Sequence, residues 1–224
     1  MKIIQDENPY FIELEDLSVA VIQKFLMTEL VVKIMLKPYQ TLGAKTIAFE
    51  TLPQIIEWTK TAKKQFYMMS YQENDARRIL ELVPLARTLS LNPFRTTLFV
   101  VPPGFYYSPH KDGRDLKIGL NYPLLIQDDG CITSWFSEDE LQHLPMEVLA
   151  KTGVTREVQG FDKAVHKSIK SFIMKPDKMV LFNTDIYHNF SNASPHWRII
   201  LTLRPIVTSL NFEVGANRVR RLAE

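Results

Sequence analysis

Apolar residues in the N-terminal part of the chain recur mainly at helical spacing. Over residues 17–36, well over half of the positions are apolar, with Asp16 or Ser18 available as an N-cap and Pro38 as a stop. A mostly buried helix is therefore expected. The end of this segment, residues 30–36, is rich in β-branched residues and also fits a strand.

Two further segments repeat apolar residues with the period of a helix. Residues 53–63 begin with a proline, which suits a first helical turn, and carry isoleucines on one face. Residues 74–89 begin with Asn74 or Asp75 as the cap. Because proline lacks the backbone N–H of a helix interior, Pro84 is expected to kink this helix or to end its first half.

The pattern changes at Pro93 to short apolar runs interrupted by Pro, Gly and Asn. Such runs are typical of strands, and they cover residues 95–101, 105–109, 116–125, 131–136, 170–174, 179–182 and 197–207. Closely spaced strands without intervening helices favour an antiparallel sandwich or jelly roll over a parallel α/β sheet. The prediction is a mostly β fold with helical additions.

An insertion at residues 137–166 interrupts these strands. Ser137 followed by Glu140 makes a capping box, and the apolar residues up to Gly153 indicate one helix or two short turns around Pro145. We expect a single domain over residues 1–224. Its predicted parts are a helical N-terminal region (1–92), a β core (93–207) that contains the insertion, and a C-terminal tail (208–224).

Composition and charge narrow the class of protein. The chain has 224 residues, of which 46% are hydrophobic, and this is enough for a sizeable core. The net charge of +2, with acidic and basic residues interspersed, gives no reason to expect nucleic acid or a membrane surface as a partner. Arg218, Arg220 and Arg221 make the tail locally basic, which indicates a solvated end; a binding arm is the alternative.

Cysteine usage and the N-terminus bear on the cell compartment. Cys131 is the only cysteine, which excludes an intramolecular disulfide and a cysteine-based zinc site. Residues 1–16 are too acidic and too weakly apolar for a signal peptide, and the richest apolar run is interrupted by Lys33. A soluble cytoplasmic protein is expected.

A histidine and a carboxylate two positions apart form the clearest chemical motif. His110 and Asp112 end an apolar strand and precede Gly113, which permits a turn, so both side chains are expected to project to one side. The alternative is a turn in which the carboxylate accepts a hydrogen bond from the imidazole. His188 ends another strand-like segment, and Arg198 opens an apolar strand ten residues later.

These residue types are those of an iron site. Two imidazoles and one carboxylate on one face of an Fe(II) ion leave its other face open, as in oxygen-activating iron enzymes. His110, Asp112 and His188 are therefore predicted to bind metal, and His196 competes with His188 for the third position. The fork of Arg198 suits a carboxylate ligand if it points inward; a surface salt bridge is the alternative.

Three stretches of the chain resemble a known enzyme family. They are Pro-His-Lys-Asp-Gly at residues 109–113, Leu-Asn-Tyr-Pro-Leu at 120–124 and Phe-Asn-Thr-Asp-Ile-Tyr-His at 182–188. Over residues 93–205 the chain resembles the Fe(II)- and 2-oxoglutarate-dependent dioxygenases, and within them the aspartyl/asparaginyl β-hydroxylase branch and its phage-type relatives. The resemblance implies a double-stranded β-helix (jelly roll) core with the N-terminal helices packed against it.

The resemblance also implies cofactors and a reaction. His110, Asp112 and His188 would hold Fe(II) and take part in catalysis, and Arg198 would pair with the distal carboxylate of the co-substrate 2-oxoglutarate. With O2, the enzyme would hydroxylate a protein side chain or a small metabolite and release succinate and carbon dioxide. The cofactor supplies this chemistry, and the protein supplies orientation and a dry pocket.

Further residues are expected around the site. Ile200 occupies a position where many members of the superfamily carry a serine that helps to hold the co-substrate carboxylate, so a second donor must come from elsewhere. Asn121, Thr202 or a tyrosine would supply it, although Asn121 equally suits a core amide. Three residues are expected to border the substrate pocket: Arg95, Tyr107 and Trp135. A solvated strand end is the alternative for Arg95, and a place in the core is the alternative for the two aromatic residues.

Two other classes of function stay open. In a non-catalytic jelly-roll binding or structural module, the same residues would form a hydrogen-bonded turn, and the side chains of His110 and His188 would lie well apart. A cupin-like metalloenzyme without 2-oxoglutarate would keep the metal, with Arg198 pointing outward. In the enzyme hypotheses, the insertion at residues 137–166 is expected to act as a lid that selects the substrate.

Overall fold

The computed structural model describes residues 1–27, 34–38, 47–71, 73–112, 116–148, 156–205 and 210–224. The strands in chain order are β1 (Lys2–Glu7), β2 (Phe11–Glu15), β3 (Ile34–Pro38), β4 (Ile47–Phe49), β5 (Tyr67–Tyr71), β6 (Thr97–Val101), β7 (Phe105–Tyr106), β8 (His110–Lys111), β9 (Ile118–Leu125), β10 (Cys131–Trp135), β11 (Met146–Val148), β12 (Arg156–Val158), β13 (Lys170–Ile173), β14 (Met179–Asn183), β15 (His188–Asn192) and β16 (Arg198–Leu203). The helices are α1 (Ser18–Met27), α2 (Leu52–Thr59), α3 (Glu73–Glu81), α4 (Leu85–Thr88), α5 (Glu138–Leu141) and α6 (Phe212–Ala223), and a short 3-10 turn covers Pro93–Arg95.

The strands form two antiparallel sheets. The larger sheet has nine strands in the order β1-β2-β14-β9-β16-β6-β5-β3-β4. The smaller sheet has seven strands, six in the order β11-β12-β8-β15-β10-β13 and β7 paired with β15. Every pairing is antiparallel, which confirms the prediction of a mostly β, antiparallel fold.

Strand β16 separates the two apolar regions of the protein. Because side chains alternate along a strand, Ile199, Leu201 and Leu203 point to the face of the larger sheet where the helices pack. The opposite face of β16 carries Arg198 and Ile200, which line an internal cavity. A single strand therefore contributes to the main core with one face and to the interior between the sheets with the other.

The two sheets share a second apolar cluster. Phe11 and Ile200 reach it from the larger sheet, and Trp135 and Phe172 reach it from the smaller one. The Trp135 ring stacks on Phe11 with centroids 5.5 Å apart, and its indole nitrogen donates to the backbone oxygen of Asn183 at 3.0 Å. Contacts of this kind hold two sheets face to face over a common interior.

Within its described residues, the N-terminal region contains five strands as well as four helices, so it is not helical alone, as residues 1–92 were predicted to be. The predicted helix at residues 17–36 ends at Met27, and Ile34–Pro38 is a strand paired with β4 and β5. The strand alternative was thus correct for the described end of this segment, and residues 28–33 lie outside the described residues. Pairing with β5 gives these residues ladder hydrogen bonds, and such tertiary pairing overrides local helical spacing.

The other two helix predictions were confirmed in outline. Helix α2 lies within residues 52–59, slightly shorter than expected. The segment at residues 74–89 is interrupted before Pro84 and forms α3 and α4, as the missing N–H of proline requires. The predicted caps Asn74 and Asp75 were wrong because α3 already begins at Glu73, so both lie inside its first turn.

Each predicted strand segment after Pro93 contains a strand, whereas β8 and β15, which begin with His110 and His188, were not predicted as separate strands. The insertion contributes α5, β11 and β12, and β12 pairs with β8. Residues 149–155 of the insertion lie outside the described residues. The C-terminal tail, predicted to be a solvated end, forms α6 from Phe212 onward, and this helix buries an apolar face against the core. Over the described ranges, no helix has the length and apolar character needed to cross a bilayer.

Candidate metal centre

His110 and His188 face each other across two neighbouring strands of the smaller sheet. They are direct partners in the antiparallel pairing of β8 with β15, and their ring centroids are 4.4 Å apart. Asp112 follows directly after β8, where its backbone N–H donates to the backbone oxygen of Thr184 at 3.1 Å. This bond holds the residue after the strand in place, so the three side chains converge.

Backbone hydrogen bonds orient both imidazole rings in the same way. Nδ1 of His110 lies 3.0 Å from the backbone oxygen of Ser108, and Nδ1 of His188 lies 2.9 Å from that of Ile186. A carbonyl oxygen can only accept, so Nδ1 carries the hydrogen in each ring. Nε2 of each neutral ring is then the nitrogen with a free lone pair, which is the state required of a metal ligand.

The ligand atoms lie close enough to share one ion. One atom from each of His110, Asp112 and His188 lies within 4.8 Å of the other two. Nε2 of His110 is 3.7 Å from Oδ1 of Asp112, which is too far for a hydrogen bond, and this nitrogen has no hydrogen to donate. The hydrogen-bonded turn considered from the sequence is therefore not formed. Two nitrogens and one carboxylate with this orientation fit a divalent transition metal.

Burial sets the protonation of the two imidazoles. Removal from water, together with the smaller effect of the neighbouring His110, lowers the pKa of His188 to about 3. Burial also lowers the pKa of His110, against the opposing effect of Asp112. Both rings are therefore neutral at neutral pH and keep their lone pairs.

The carboxylate of Asp112 is ionised for a different reason. Burial by itself raises its pKa, but the charge of Arg204 and the two imidazoles lower it by more, so the net pKa lies below the ordinary value. Nη2 of Arg204 lies 2.6 Å from Oδ2 of Asp112, and both side chains are largely buried. An anionic oxygen is thus held at the centre by an opposite charge.

Arg204 was not among the predicted site residues, although the sequence contains a pattern that indicates it. Arg198, Ile200, Thr202 and Arg204 alternate along one strand and its continuation, so a period of two places them on one face. Arg204 also needs room: a Cβ on Gly119 would lie 2.8 Å from its Nη1 and 2.6 Å from the Phe182 ring. The glycine on the neighbouring strand therefore leaves space for the arginine to reach Asp112.

Arg198 is the most deeply buried cation of the site. It is 2% exposed, its Nη1 donates to the backbone oxygen of Ser191 at 3.2 Å, and its Nε has no hydrogen-bond partner among the described residues. Among the ion pairs formed by the described residues, none joins Arg198 to a carboxylate. Burial lowers the pKa of Arg198 to about 10, which still leaves it charged at neutral pH.

One cavity contains both the metal-ligand set and Arg198. It has a volume of about 420 Å³ and is bounded by residues of both sheets. A buried cation without an anionic partner in the described part of the chain, in the same cavity as a metal-ligand set, fits a ligand that carries a carboxylate. Its volume is within the range of about 300–1,000 Å³ that small-molecule sites occupy.

A polar pair on β9 and β16 has one member at this cavity: Asn121 lines it, whereas its partner Thr202 is not among the described lining residues. Thr202 donates its hydroxyl hydrogen to Oδ1 of Asn121 at 2.7 Å, across the pairing of β16 with β9. This bond orients the buried amide of Asn121, which lines the cavity. Thr202 contacts only the amide oxygen, not the amide nitrogen. Ile200 also lines the cavity and offers no polar group.

The structure brings most of the predicted site residues together. The cavity lining includes Arg95, Tyr107, His110, Asp112, Asn121, His188 and Arg198. Trp135 is apart from them, because its ring is enclosed in the cluster between the sheets. His196 is exposed and is not part of the metal-ligand set, and Gly113 lies outside the described residues. The aromatic residues Phe66 and Phe190, which also line the cavity, were not anticipated.

Comparison with known proteins gives weak likenesses only. No protein-family model matches the chain, and no curated protein matches it significantly. Among solved structures, EvdO2 from Micromonospora carbonacea var. aurantiaca complexed with 2-oxoglutarate is similar at 12% identity and a TM-score of 0.45, over 92% of this chain and 94% of that chain.

Two Escherichia coli structures are also similar. One is ycfD, at 14% identity and a TM-score of 0.38, over 89% of this chain and 51% of that chain. The other is the ribosomal oxygenase YcfD in complex with cobalt and 2-oxoglutarate, at 13% identity and a TM-score of 0.35, over 83% of this chain and 42% of that chain. This chain thus spans about half of the YcfD chains or less. Likeness at this level assigns neither an activity nor a substrate.

Proposed function

We propose that the protein is an Fe(II)- and 2-oxoglutarate-dependent oxygenase that hydroxylates a protein side chain or a small metabolite. The observation that carries this proposal is one cavity with two kinds of group. The Nε2 atoms of His110 and His188 converge there with the Asp112 carboxylate, and the buried Arg198 guanidinium lacks a carboxylate partner among the described residues.

Each group has a role in binding. Nε2 of His110, Nε2 of His188 and the carboxylate of Asp112 would hold Fe(II), which leaves one side of the ion free for other ligands. Arg198 would bind the distal carboxylate of 2-oxoglutarate through its fork, and Asn121, oriented by Thr202, would supply a further donor. The bound iron, with 2-oxoglutarate and O2, would supply the oxidising chemistry, with succinate and carbon dioxide as products.

The protein contributes orientation and the exclusion of water. His110 is 5% exposed and His188 is 3% exposed, and each ring is held by a backbone carbonyl. The Asp112 carboxylate is held by Arg204. Such fixed partners keep metal ligands in one orientation, so little reorganisation is needed when the ion binds.

Two observations favour this function over the alternatives. A non-catalytic module requires the imidazoles of His110 and His188 to lie well apart, whereas their centroids are 4.4 Å apart. A cupin-like metalloenzyme without 2-oxoglutarate requires Arg198 to point outward, whereas its guanidinium is buried at the cavity. Both distinctions support a site for a metal together with a carboxylate ligand.

Several finer expectations belong to the same proposal. We take the two sheets to be a double-stranded β-helix of the aspartyl/asparaginyl hydroxylase-like or phage-type branch. The chain would form one domain, with the β core at residues 93–207 and the insertion at residues 137–166 as a lid. The pairing of β12 with the strand of His110 supports a place for the insertion beside the metal centre.

Anaerobic titration followed by turnover tests the function. The purified protein is mixed with Fe(II) and then with 2-oxoglutarate under nitrogen, and we expect a visible metal-to-ligand charge-transfer band. Admission of O2 should then release succinate even before a substrate is known. His110→Ala should lose both signals, and His143→Ala, which changes an exposed histidine, should keep them. The proposal fails if neither signal appears and His110→Ala binds the metal as well as the wild type.

A further inference from the structure

Five aromatic side chains form a continuous cluster on one side of the cavity, here called the aromatic wall: Phe66, Phe99, Phe105, Tyr107 and Phe190. Phe66 lies 5.3 Å from Phe190 and 5.4 Å from Phe105, measured between ring centroids. Tyr107 and Phe190 stack at 5.1 Å with ring planes only 6° apart. Phe66, Phe99, Tyr107 and Phe190 line the cavity, so the wall presents rings to its interior.

The wall begins at the metal centre and extends away from it. The Tyr107 ring meets the His110 ring edge to face at 4.7 Å. Phe99 of β6 contacts the rings of Phe66 and Phe190. It pairs in register with Met68 of β5, and both residues line the cavity. A group held against Phe99 and Met68 would therefore share the cavity with the metal-ligand set.

The charges around the cavity select the kind of group that fits the wall. In the described part of the lining, Asp112 is the only carboxylate, and it already pairs with Arg204. The Arg198 guanidinium lies 6.0 Å from the centroid of the Phe190 ring. Aromatic faces can attract cations, but this face already has a buried cation beside it, and a second one would be repelled.

An anion is disfavoured at the wall for a separate reason. In the described part of the lining, the cations that can attract one are Arg95, Arg198 and Arg204, and none of them is a side chain of the wall or of β5. Arg198 lies beside Phe190 and would draw an anion to its own guanidinium, where the proposed function places the co-substrate carboxylate, and not to Phe99 and Met68. The wall and Met68 offer rings and a thioether, which cannot compensate an ion for its lost hydration. A neutral apolar group avoids this cost.

We infer that the aromatic wall binds a neutral aromatic group and that this group is part of the substrate. Offset-stacked and edge-to-face contacts are the arrangements that rings prefer, and the wall already combines both, as in the Tyr107–Phe190 and Phe66–Tyr107 pairs. Phe99 and Met68 then determine specificity. That the bound group is the one oxidised rests on the proposed function, whereas the binding of a neutral ring does not.

Binding to the metal-free protein tests the wall without any turnover. The protein is treated with chelator, and two probes of one size, benzyl alcohol and benzylammonium, are titrated by ligand-observed NMR. We expect the neutral probe to bind with a Kd at least about tenfold lower than that of the cation. Phe99→Ala should weaken the binding of benzyl alcohol by at least about tenfold, since it removes one ring of the wall.

A matched control and two replacement variants separate a loss of ring contacts from a loss of folding. Tyr106 is the neighbour of Tyr107, but it is 38% exposed and stacks on Phe161 outside the wall, so Tyr106→Ala should leave binding unchanged. If circular dichroism shows that Phe99→Ala is unfolded, Phe99→Leu and Met68→Lys replace it, and both should weaken the binding of benzyl alcohol. Equal or tighter binding of benzylammonium, or unchanged binding of benzyl alcohol to these variants, would overturn the inference.

A turnover arm separates the two parts of the inference. With Fe(II), 2-oxoglutarate and O2, a capped phenylalanine amide should raise succinate release more than a capped lysine amide does. If no neutral aromatic compound raises it although wild type releases succinate without substrate, the assignment of the group as substrate is wrong. If the protein releases no succinate at all, the proposed function fails. The titration of the metal-free protein then tests by itself whether the aromatic wall binds a neutral ring.

Discussion

Nη2 of Arg204 lies 2.6 Å from Oδ2 of Asp112, while Oδ1 of the same carboxylate lies 3.7 Å from Nε2 of His110. One oxygen thus faces a guanidinium and the other faces the imidazole. Because the arginine occupies only one side of the carboxylate, it can hold Asp112 in orientation while the other side faces the metal-ligand set.

Replacement of Arg204 should weaken metal binding. In Arg204→Met, the carboxylate loses its orienting charge, and the loss of such a partner typically costs about 10–100-fold in metal affinity. Arg204→Lys keeps the positive charge but loses the guanidinium fork, so its metal affinity should lie between that of the wild type and that of Arg204→Met. Co(II) titration followed by absorbance measures the affinity. Lys117→Met removes the cation of a more exposed pair with Asp185 and serves as the control. Tighter metal binding by Arg204→Met would contradict the orienting role.

Arg198 is expected to lower the stability of the ligand-free protein and to strengthen the binding of 2-oxoglutarate. Its charge is buried without a carboxylate among the described residues, so Arg198→Met should raise the free energy of unfolding of the ligand-free protein by about 1–3 kcal/mol. The same change should raise the Kd for 2-oxoglutarate by about 30-fold or more, since loss of one partner of a buried charged pair costs about 2–5 kcal/mol.

Urea unfolding and anaerobic 2-oxoglutarate titration measure the two effects of Arg198→Met separately. Arg198→Lys is the matched variant: it keeps the charge, so we expect no gain in stability, and it loses the fork, so affinity still falls. A loss of stability in Arg198→Met with unchanged affinity for 2-oxoglutarate would show that the guanidinium serves only the fold.

Gly119→Ala should damage both the core and the metal site. The added Cβ would lie 2.6 Å from a ring carbon of Phe182 and 2.8 Å from Nη1 of Arg204, so the ring or the arginine must move. Overpacking of this kind costs about 1–3 kcal/mol of stability. Gly215→Ala is the comparison, because its Cβ would lie 3.1 Å from the Ile118 side chain and at an ordinary contact distance of 3.8 Å from Leu181 and Leu89, and alanine favours its helix. Urea unfolding and Co(II) titration of both variants check this; equal behaviour of the two would refute the steric argument.

Asn192 should be important for the relative placement of the two sheets. Its amide nitrogen is within hydrogen-bond distance of the backbone oxygens of Val101, Pro102 and His196, at 3.2, 3.0 and 2.8 Å. Asn192→Leu leaves these buried acceptors without that donor and should lower the free energy of unfolding by about 2–4 kcal/mol. Asn217→Ala, at an exposed position of α6, should change it by less than about 0.5 kcal/mol. Urea unfolding measures both variants. An unchanged free energy of unfolding in Asn192→Leu would contradict this role of Asn192.

Local chemistry along the chain was enough to identify the residues that could bind a metal. A two-residue spacing between His110 and Asp112 predicts a common side at any strand end, and His188, predicted to end a strand-like segment, precedes Arg198 by the ten residues that the family resemblance requires. The structure places His188 at the start of β15 instead. The antiparallel character of residues 93–207 followed likewise from closely spaced short apolar runs without intervening helices. These features depend on neighbouring residues, which a sequence displays directly.

The rest was decided by contacts between distant segments. Ile34–Pro38 became a strand because β5 offered it a ladder, and Trp135 was enclosed because Phe11, from the far N-terminus, stacks on it. Arg204 reaches Asp112 only because Gly119 on the adjacent strand leaves room. The aromatic wall likewise joins Phe66 to Phe190 across both sheets. Burial and packing over the whole chain determine which segments pair, and the local spacing of residues does not predict that pairing.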